Sequence, residues 1–321
     1  MIRLLVRSGT VLVTAAMAGS LIVFLLLRLL GGDVATVILG RGATPEGLAR
    51  LRSELGLDRP WFVQYGEWLW GLIRGDLGTS YAAGYDIHSE IFGRVGLTLT
   101  LAVSALVLSA VVALALGTYS AMHVRDWRGG TIDVLAQLGI AVPTFWAGLL
   151  LIGFVAVQQR WLPAGGYIPW SQSPVGAIRS LTLPVLAMSI PLIAVFARYV
   201  RSGMLDILNE DYIRTARAKG RTLRGAALIH GVRNAAIPLV TVGALQLGAM
   251  LAGAVVIEVV FTLPGLGRML LNAVGNREVI VVQSLVFVIL LAILVLNFLM
   301  DITYGLLDPR MRDVGRRSAS A

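Results

Sequence analysis

Asp211-Tyr212-Ile213-Arg214-Thr215-Ala216-Arg217-Ala218-Lys219-Gly220 is a polar, basic stretch lying between long apolar runs. It reads as a short amphipathic helix closed by a glycine turn. Leu205, Leu208, Tyr212 and Ala216 recur at helical spacing and predict one apolar stripe. Ala216, Ala218 and Gly220 are small, so the backbone of a partner has room to approach. Arg214, Arg217, Lys219, Arg221 and Arg224 surround that surface with positive charge. The plainer reading is a basic loop that serves only to orient the neighbouring apolar segments.

The flanking sequence decides what kind of protein carries this loop. Of the 321 residues, 57% are hydrophobic and 14% charged, which is too apolar for an ordinary soluble domain. The apolar residues fall into separate runs, so the chain reads as an all-α polytopic membrane protein. A formal charge of +9 raises nucleic acid as a partner. The arginines, however, are spread over loops between apolar runs rather than gathered on one soluble face, and nucleic acid is excluded on that ground. Without cysteine there is no disulfide and no thiolate chemistry. His88, His123 and His230 are far apart and share no ligand spacing, so no metal site is expected.

Lys219, the chain's only lysine, precedes Gly220, and residues 213–218 contain no glycine. A P-loop needs Gly-x-x-x-x-Gly-Lys-Ser/Thr, because the glycine backbone cradles the phosphates that the lysine reaches. The chain therefore lacks a Walker site of its own.

Six apolar runs predict six membrane-spanning helices. The first lies within residues 1–30, with its core from Val11 to Leu27 and Arg3 and Arg7 ahead of it. It reads as an uncleaved span, because Arg28 and Gly31-Gly32-Asp33 follow where a cleavage site would stand. The others cover about 97–122, 131–157, 181–200, 236–261 and 281–307. Pro143, Pro184, Pro191 and Pro238 fall in or beside them and predict kinks.

Residues 31–93 form a long polar segment with short helices. Thr44-Pro45-Glu46 is a helix start, Leu48, Leu51 and Leu55 give it an apolar stripe, and Gly56 closes it. A second helix begins near Pro60 and carries Trp61, Tyr65, Trp68 and Leu69. These residue types favour a membrane interface, the alternative being a small subdomain that packs the rings internally.

Counting Lys and Arg places sixteen on one side of the six spans against four in the short loops opposite. The richer side is cytoplasmic by the positive-inside rule. Both termini, the loop 201–235 and the tail 308–321 are thus expected in the cytoplasm.

Asp211–Gly220 now resembles the cytoplasmic coupling motif of bacterial ABC importer permeases. Arg214-Thr215-Ala216 stands where that motif has Glu-Ala-Ala, with Gly220 at the matching offset. Arg214 in place of glutamate, and Pro238 lying farther on than the general pattern, resemble the oligopeptide/dipeptide/nickel branch. Arg74-Gly75-Asp76-Leu77-Gly78-Thr79-Ser80 is similar to that branch's outer-loop signature. So are Pro143-Thr144-Phe145-Trp146, Trp161-Leu162-Pro163-Ala164-Gly165-Gly166, Glu258-Val259-Val260-Phe261, Pro264-Gly265-Leu266-Gly267 and Leu307-Asp308-Pro309-Arg310 to their counterparts. One departure is Gly31-Gly32-Asp33-Val34, where the branch has Pro-Gly-Asp-Pro.

The resemblance implies a type I ABC importer permease fold, with a core over residues 94–307 and an extracytoplasmic loop region over 31–93. The match is to the first of two permease subunits, the one with the long outer loop. It implies a second homologous permease, two ABC ATPase subunits or one fused ATPase, an extracytoplasmic solute-binding protein and a peptide-like substrate in the bacterial inner membrane. ATP and Mg would be bound by the ATPase partners, with no cofactor on this chain. Asp211, Tyr212, Arg214, Thr215, Ala216, Arg217, Ala218, Lys219 and Gly220 become the expected ATPase-coupling residues.

Asp133, Glu258 and Asp301 lie near predicted span ends, as either functional acids or interfacial caps. Gln137, Gln246, Gln283 and Asn297 fall within spans, where they either line a path or bond between helices. No substrate-binding residue is distinguished among them. A nickel-chelate or other small-solute permease remains an alternative. A stand-alone secondary transporter would need internal repeats and mid-span acids, and an intramembrane enzyme a nucleophile with its base; neither pattern is visible.

Overall fold

A computed structural model describes residues 2–30, 34–40, 43–81, 83–208, 210–226 and 232–307. Gly31-Gly32-Asp33, His230, the ending Asp308-Pro309-Arg310 and the tail 308–321 lie outside the described residues. The described chain is helical: α1 (Ile2–Leu30), α2 (Val34–Leu39), α3 (Pro45–Glu54), α4 (Trp61–Arg74), α5 (Ile87–Met122), α6 (Trp127–Ala141) and α7 (Thr144–Leu151) come first. There follow α8 (Pro174–Leu208), α9 (Asp211–Ala218), α10 (Leu223–Ala226), α11 (Val232–Val260), α12 (Leu266–Gly275) and α13 (Val279–Leu307).

Four described stretches are each long and apolar enough to cross a membrane: Leu5–Leu29, Ile87–Met122, Pro174–Leu208 and Val279–Ile302. A fifth is made by α6 and α7, the latter prolonged as a π-helical turn over Ile152–Gln158. The run read as one kinked span over 131–157 is therefore two helices, bent by 104° at Val142–Pro143. Val142 is extended, at φ −80° and ψ 116°. Proline's ring excludes the residue before it from the α region, and proline lacks the N–H that would continue the ladder. Pro184 and Pro191, by contrast, sit inside an unbroken α8.

The described residues divide into two compact units. The first takes them from Met1–Ser8, Leu99–Leu263 and Leu296–Ala321, and the second from Gly9–Thr98 and Pro264–Val295.

α8 is the axis of the first unit, packing against α6, α7 and α11. Its most apolar window is 61% buried, against 28% or less for the other three unbroken spans. Small residues allow the close approach. A Cβ on Gly117 of α5 would lie 2.6 Å from the Ala197 carbonyl oxygen, and one on Gly139 of α6 2.9 Å from the Ala194 Cβ. Serines add polar ties inside the apolar interior. Ser109 donates to the Ala105 carbonyl at 2.6 Å, and its hydroxyl also lies 3.3 Å from the Ser189 carbonyl oxygen of α8.

Two stretches distant in sequence meet near the end of α11. Phe261 is fully buried, and its carbonyl accepts the Gly166 N–H at 2.9 Å. A Cβ on Gly165 would lie 2.7 Å from that same oxygen, and one on Gly148 of α7 3.0 Å from the Phe261 ring.

The second unit has its core in Leu77, Ile87, Ile91, Leu266, Met269, Val281 and Leu285. The stretch 74–80 is tied down by side chains. Ser284 donates to the Leu77 carbonyl at 2.9 Å, and Ser80 bonds Glu278. Just before α5, Asp86 accepts the Ser89 hydroxyl at 2.6 Å and the Ser89 N–H at 3.0 Å. Those bonds, the hydroxyl's first, hold its carboxyl below the ordinary value. Ser284 is fully buried. Ser284→Ala is therefore expected to lower stability by about 1–3 kcal/mol, because a buried carbonyl loses its donor. Thermal unfolding of the detergent-solubilised chain measures this.

α4 divides its aromatic residues between its packed and its open face. Tyr65 and Trp68 turn inward, with Phe24 5.5 Å from Tyr65 and Phe287 5.7 Å from Trp68, ring centre to ring centre. Trp61, Phe62, Trp70 and Ile73 are exposed. Thr44 caps α3 as its sequence predicts, accepting the Gly47 N–H at 3.2 Å, but α3 buries none of its residues.

Candidate functional site

The cationic loop folds as a separate short helix. α8 ends at Leu208, Glu210 is extended at φ −72° and ψ 147°, and α9 begins at Asp211. The stripe expected to run from Leu205 and Leu208 through Tyr212 and Ala216 is therefore interrupted, because the break at Glu210 resets the helical phase. Ile213 is the residue that anchors α9: it is 1% exposed, whereas Tyr212 is 40% exposed. Sequence spacing missed Ile213 because the count began on α8. A count restarted at the helix-favouring acid Asp211 would have singled out Ile213 as the aliphatic residue of the first turn.

The end of α9 is a Schellman motif. The Gly220 N–H bonds the Arg217 carbonyl at 2.9 Å and the Arg221 N–H bonds the Ala216 carbonyl at 3.2 Å. This geometry requires a left-handed residue, and Gly220 sits at φ +85°. Thr215 donates to the Asp211 carbonyl at 2.9 Å. Arg214 and Asp211 approach to 3.5 Å with side chains 72% and 95% exposed, so water screens the pair and it contributes little.

The remaining surface is open and basic. Asp211, Arg214, Thr215, Arg217, Ala218, Lys219 and Gly220 are all exposed, and Ala216 is half-buried. Arg214, Arg217, Gly220, Arg221, Thr222 and Leu223 line a shallow depression of about 420 Å³. Among the described residues a Cβ on Gly220 would meet nothing within 4 Å. α10 packs on α9 and closes one side of this surface, its first turn capped by Thr222, which accepts the Gly225 N–H at 3.2 Å. Such a surface offers charge-assisted donors to acidic partners and a small-residue patch to a partner backbone.

The other candidates are scattered. Asp133 pairs with Arg201 at 2.9 Å and Asp301 accepts the Ser8 hydroxyl at 3.1 Å, whereas Glu258 is fully buried. Gln137 is exposed, Gln246 and Asn297 are half-buried, and Gln283 is buried. Among the described residues no three His, Cys, Asp or Glu side chains converge as a metal site.

Comparison with known proteins bears on this arrangement. Residues 113–313 match the family described as the binding-protein-dependent transport system inner membrane component. Residues 1–102 match the N-terminal part of the same kind of membrane component. The chain is 39% identical over 293 residues to a putative peptide transport system permease protein of Brucella abortus, covering 91% of this chain and 93% of that one. It is 37% identical over 311 residues to a probable peptide ABC transporter permease protein of Sinorhizobium fredii, covering 95% and 97%. With the dipeptide transport system permease protein of Escherichia coli K12 it shares 34% identity over 336 aligned positions, covering 97% and 99%. An all-α chain with several membrane-length helices, matched along nearly its whole length, belongs to the family of binding-protein-dependent transport system inner membrane components.

Proposed function

We propose that this chain is the first of two permease subunits in an ATP-driven peptide importer and that α9 is its contact with an ATPase subunit. The single observation that carries the reading is the construction of α9. One buried aliphatic anchor, Ile213, holds a helix whose basic face and glycine turn remain uncovered. A helix so presented is suited to a groove on a neighbouring subunit, with Arg214 and Arg217 meeting acidic residues at its rim.

ATP and Mg are held by the ATPase partners, and a solute-binding protein delivers substrate from outside. In this reading α11, 29 residues long, joins the four unbroken spans and the bent α6–α7 pair to give six crossings. Both termini and α9 then face the cytoplasm. Peptide as the substrate class follows the names of the relatives. Selectivity would rest largely with the binding protein.

The test is co-purification of the complete transporter. Arg214→Glu combined with Arg217→Glu is expected to release the ATPase while leaving the second permease bound. Undiminished ATPase in the purified complex would refute the contact. ATP-dependent uptake of a labelled dipeptide into proteoliposomes tests the substrate class, and uptake of a nickel chelate in its place would redirect it.

A further inference from the structure

Seven residues before the end of α8, Arg201 reaches across to two other helices. Its Nη2 lies 2.9 Å from Asp133 Oδ2 on α6, and its Nε donates to the Ser120 hydroxyl on α5 at 3.1 Å. Ser120 is 1% exposed and donates in turn to Asp133 Oδ1 at 2.8 Å. Each carboxylate oxygen thus has a donor, and the serine oxygen both accepts and donates. Three helices are joined through three side chains, with Asp133 and Arg201 only 27% and 30% exposed. Partial burial makes such contacts stronger and more directional than a surface pair.

Around this cluster the helices touch closely, at Gly117 against Val200 and at Gly139 against Ala194. α5 and α6 are also locked together through their connecting turn, where Gly129 packs on the His123 carbonyl. Beside the cluster lies a cavity of about 290 Å³, lined by Ile132, Ala136, Gln137 and Arg198 and reaching the Gly117–Ala197 contact itself. Interiors are otherwise close-packed, so the cavity leaves the side chains that join α5, α6 and α8 room to rearrange.

Arg201 lies about 10 Å of helix from the end of α8, beyond which α9 begins after a two-residue break. α9 is joined covalently to α8, so displacement of α9 by a partner pulls on those last turns. We infer that Ser120, Asp133 and Arg201 are positioning residues that transmit the motion of α9 from α8 to the α5–α6 pair. The inference rests on α9 being the ATPase contact.

The complete transporter with its binding protein, reconstituted in proteoliposomes, provides the test. Asp133→Asn is expected to retain ATPase in the purified complex while the ratio of binding-protein-stimulated to unstimulated ATP hydrolysis falls about tenfold. Uptake falls with it. Ser120→Ala keeps the ion pair, and so serves if Asp133→Asn fails to assemble; it is expected to lower the same ratio about threefold. Exchanging the charges, Asp133→Arg with Arg201→Asp, should restore part of the loss. A stimulation ratio equal to wild type in every assembled variant overturns the inference. Failure of the wild-type chain to hold an ATPase would overturn the proposed contact at α9, and this inference with it.

Discussion

A Gly220→Val chain is expected to insert and to keep its spans while ATP-driven uptake drops below about a tenth of wild type. The backbone at Gly220 is left-handed, at φ +85°. A Cβ there costs roughly 1–2 kcal/mol, and a β-branched residue fits worst. Relief of that strain would open the two bonds that close α9, those from Gly220 to Arg217 and from Arg221 to Ala216. Each 1.4 kcal/mol of lost docking energy is tenfold in affinity. Insertion is not at stake, because among the described residues nothing lies within 4 Å of the added atom.

That open space makes the experiment informative. Asparagine tolerates the left-handed region, so Gly220→Asn should keep the turn and change only the bulk presented outward. Uptake that remains low in Gly220→Asn indicates a partner backbone pressed against this position. Uptake that recovers in Gly220→Asn but not in Gly220→Val assigns the effect to the turn alone. Wild-type uptake and ATPase stimulation in Gly220→Val would refute the role of α9 altogether.

Phe261→Ala is the substitution expected to cost most in stability, about 3–5 kcal/mol, the usual range for a buried phenylalanine cut to alanine. The ring has no exposed surface and packs on Gly148, where the lack of a side chain makes room for it. The backbone oxygen of Phe261 holds Gly166. Removing the ring leaves a cavity where α7, the 161–166 segment and the end of α11 converge, and a glycine-lined wall has no side chain with which to refill it. A lowered unfolding midpoint in detergent, with the chain still delivered to the membrane, is the expected observation. A loss below about 1 kcal/mol would mean that the site collapses around the cavity.

Hydropathy and turn chemistry make much of this protein legible in its sequence. A run of about 20 apolar residues leaves the backbone little choice but helix, since hydrocarbon offers no other partner for its N–H and C=O groups. The runs read as spans accordingly fall on α1, α5, α6 with α7 and its π-helical continuation, α8, α11 and α13, although α5 starts ten residues earlier and α8 extends seven and eight residues beyond the two ends. Thr44 and Gly220 were legible for a similarly local reason: a cap hydroxyl and a left-handed turn are decided within a few residues.

What depended on residues far apart in sequence was not legible. Proline marks a possible bend but not its size. Pro143 accompanies a 104° break, whereas Pro184 and Pro191 leave α8 whole, and neighbouring helices decide which of these occurs. Asp133 stood out as an acid near a span end, but Ser120 and Arg201 did not announce themselves as its partners, 13 and 68 positions away. The phase of α9 was misjudged for the same reason. Periodicity carries across a boundary only while the helix does, and the tertiary structure alone placed the break at Glu210 and put Ile213 inside.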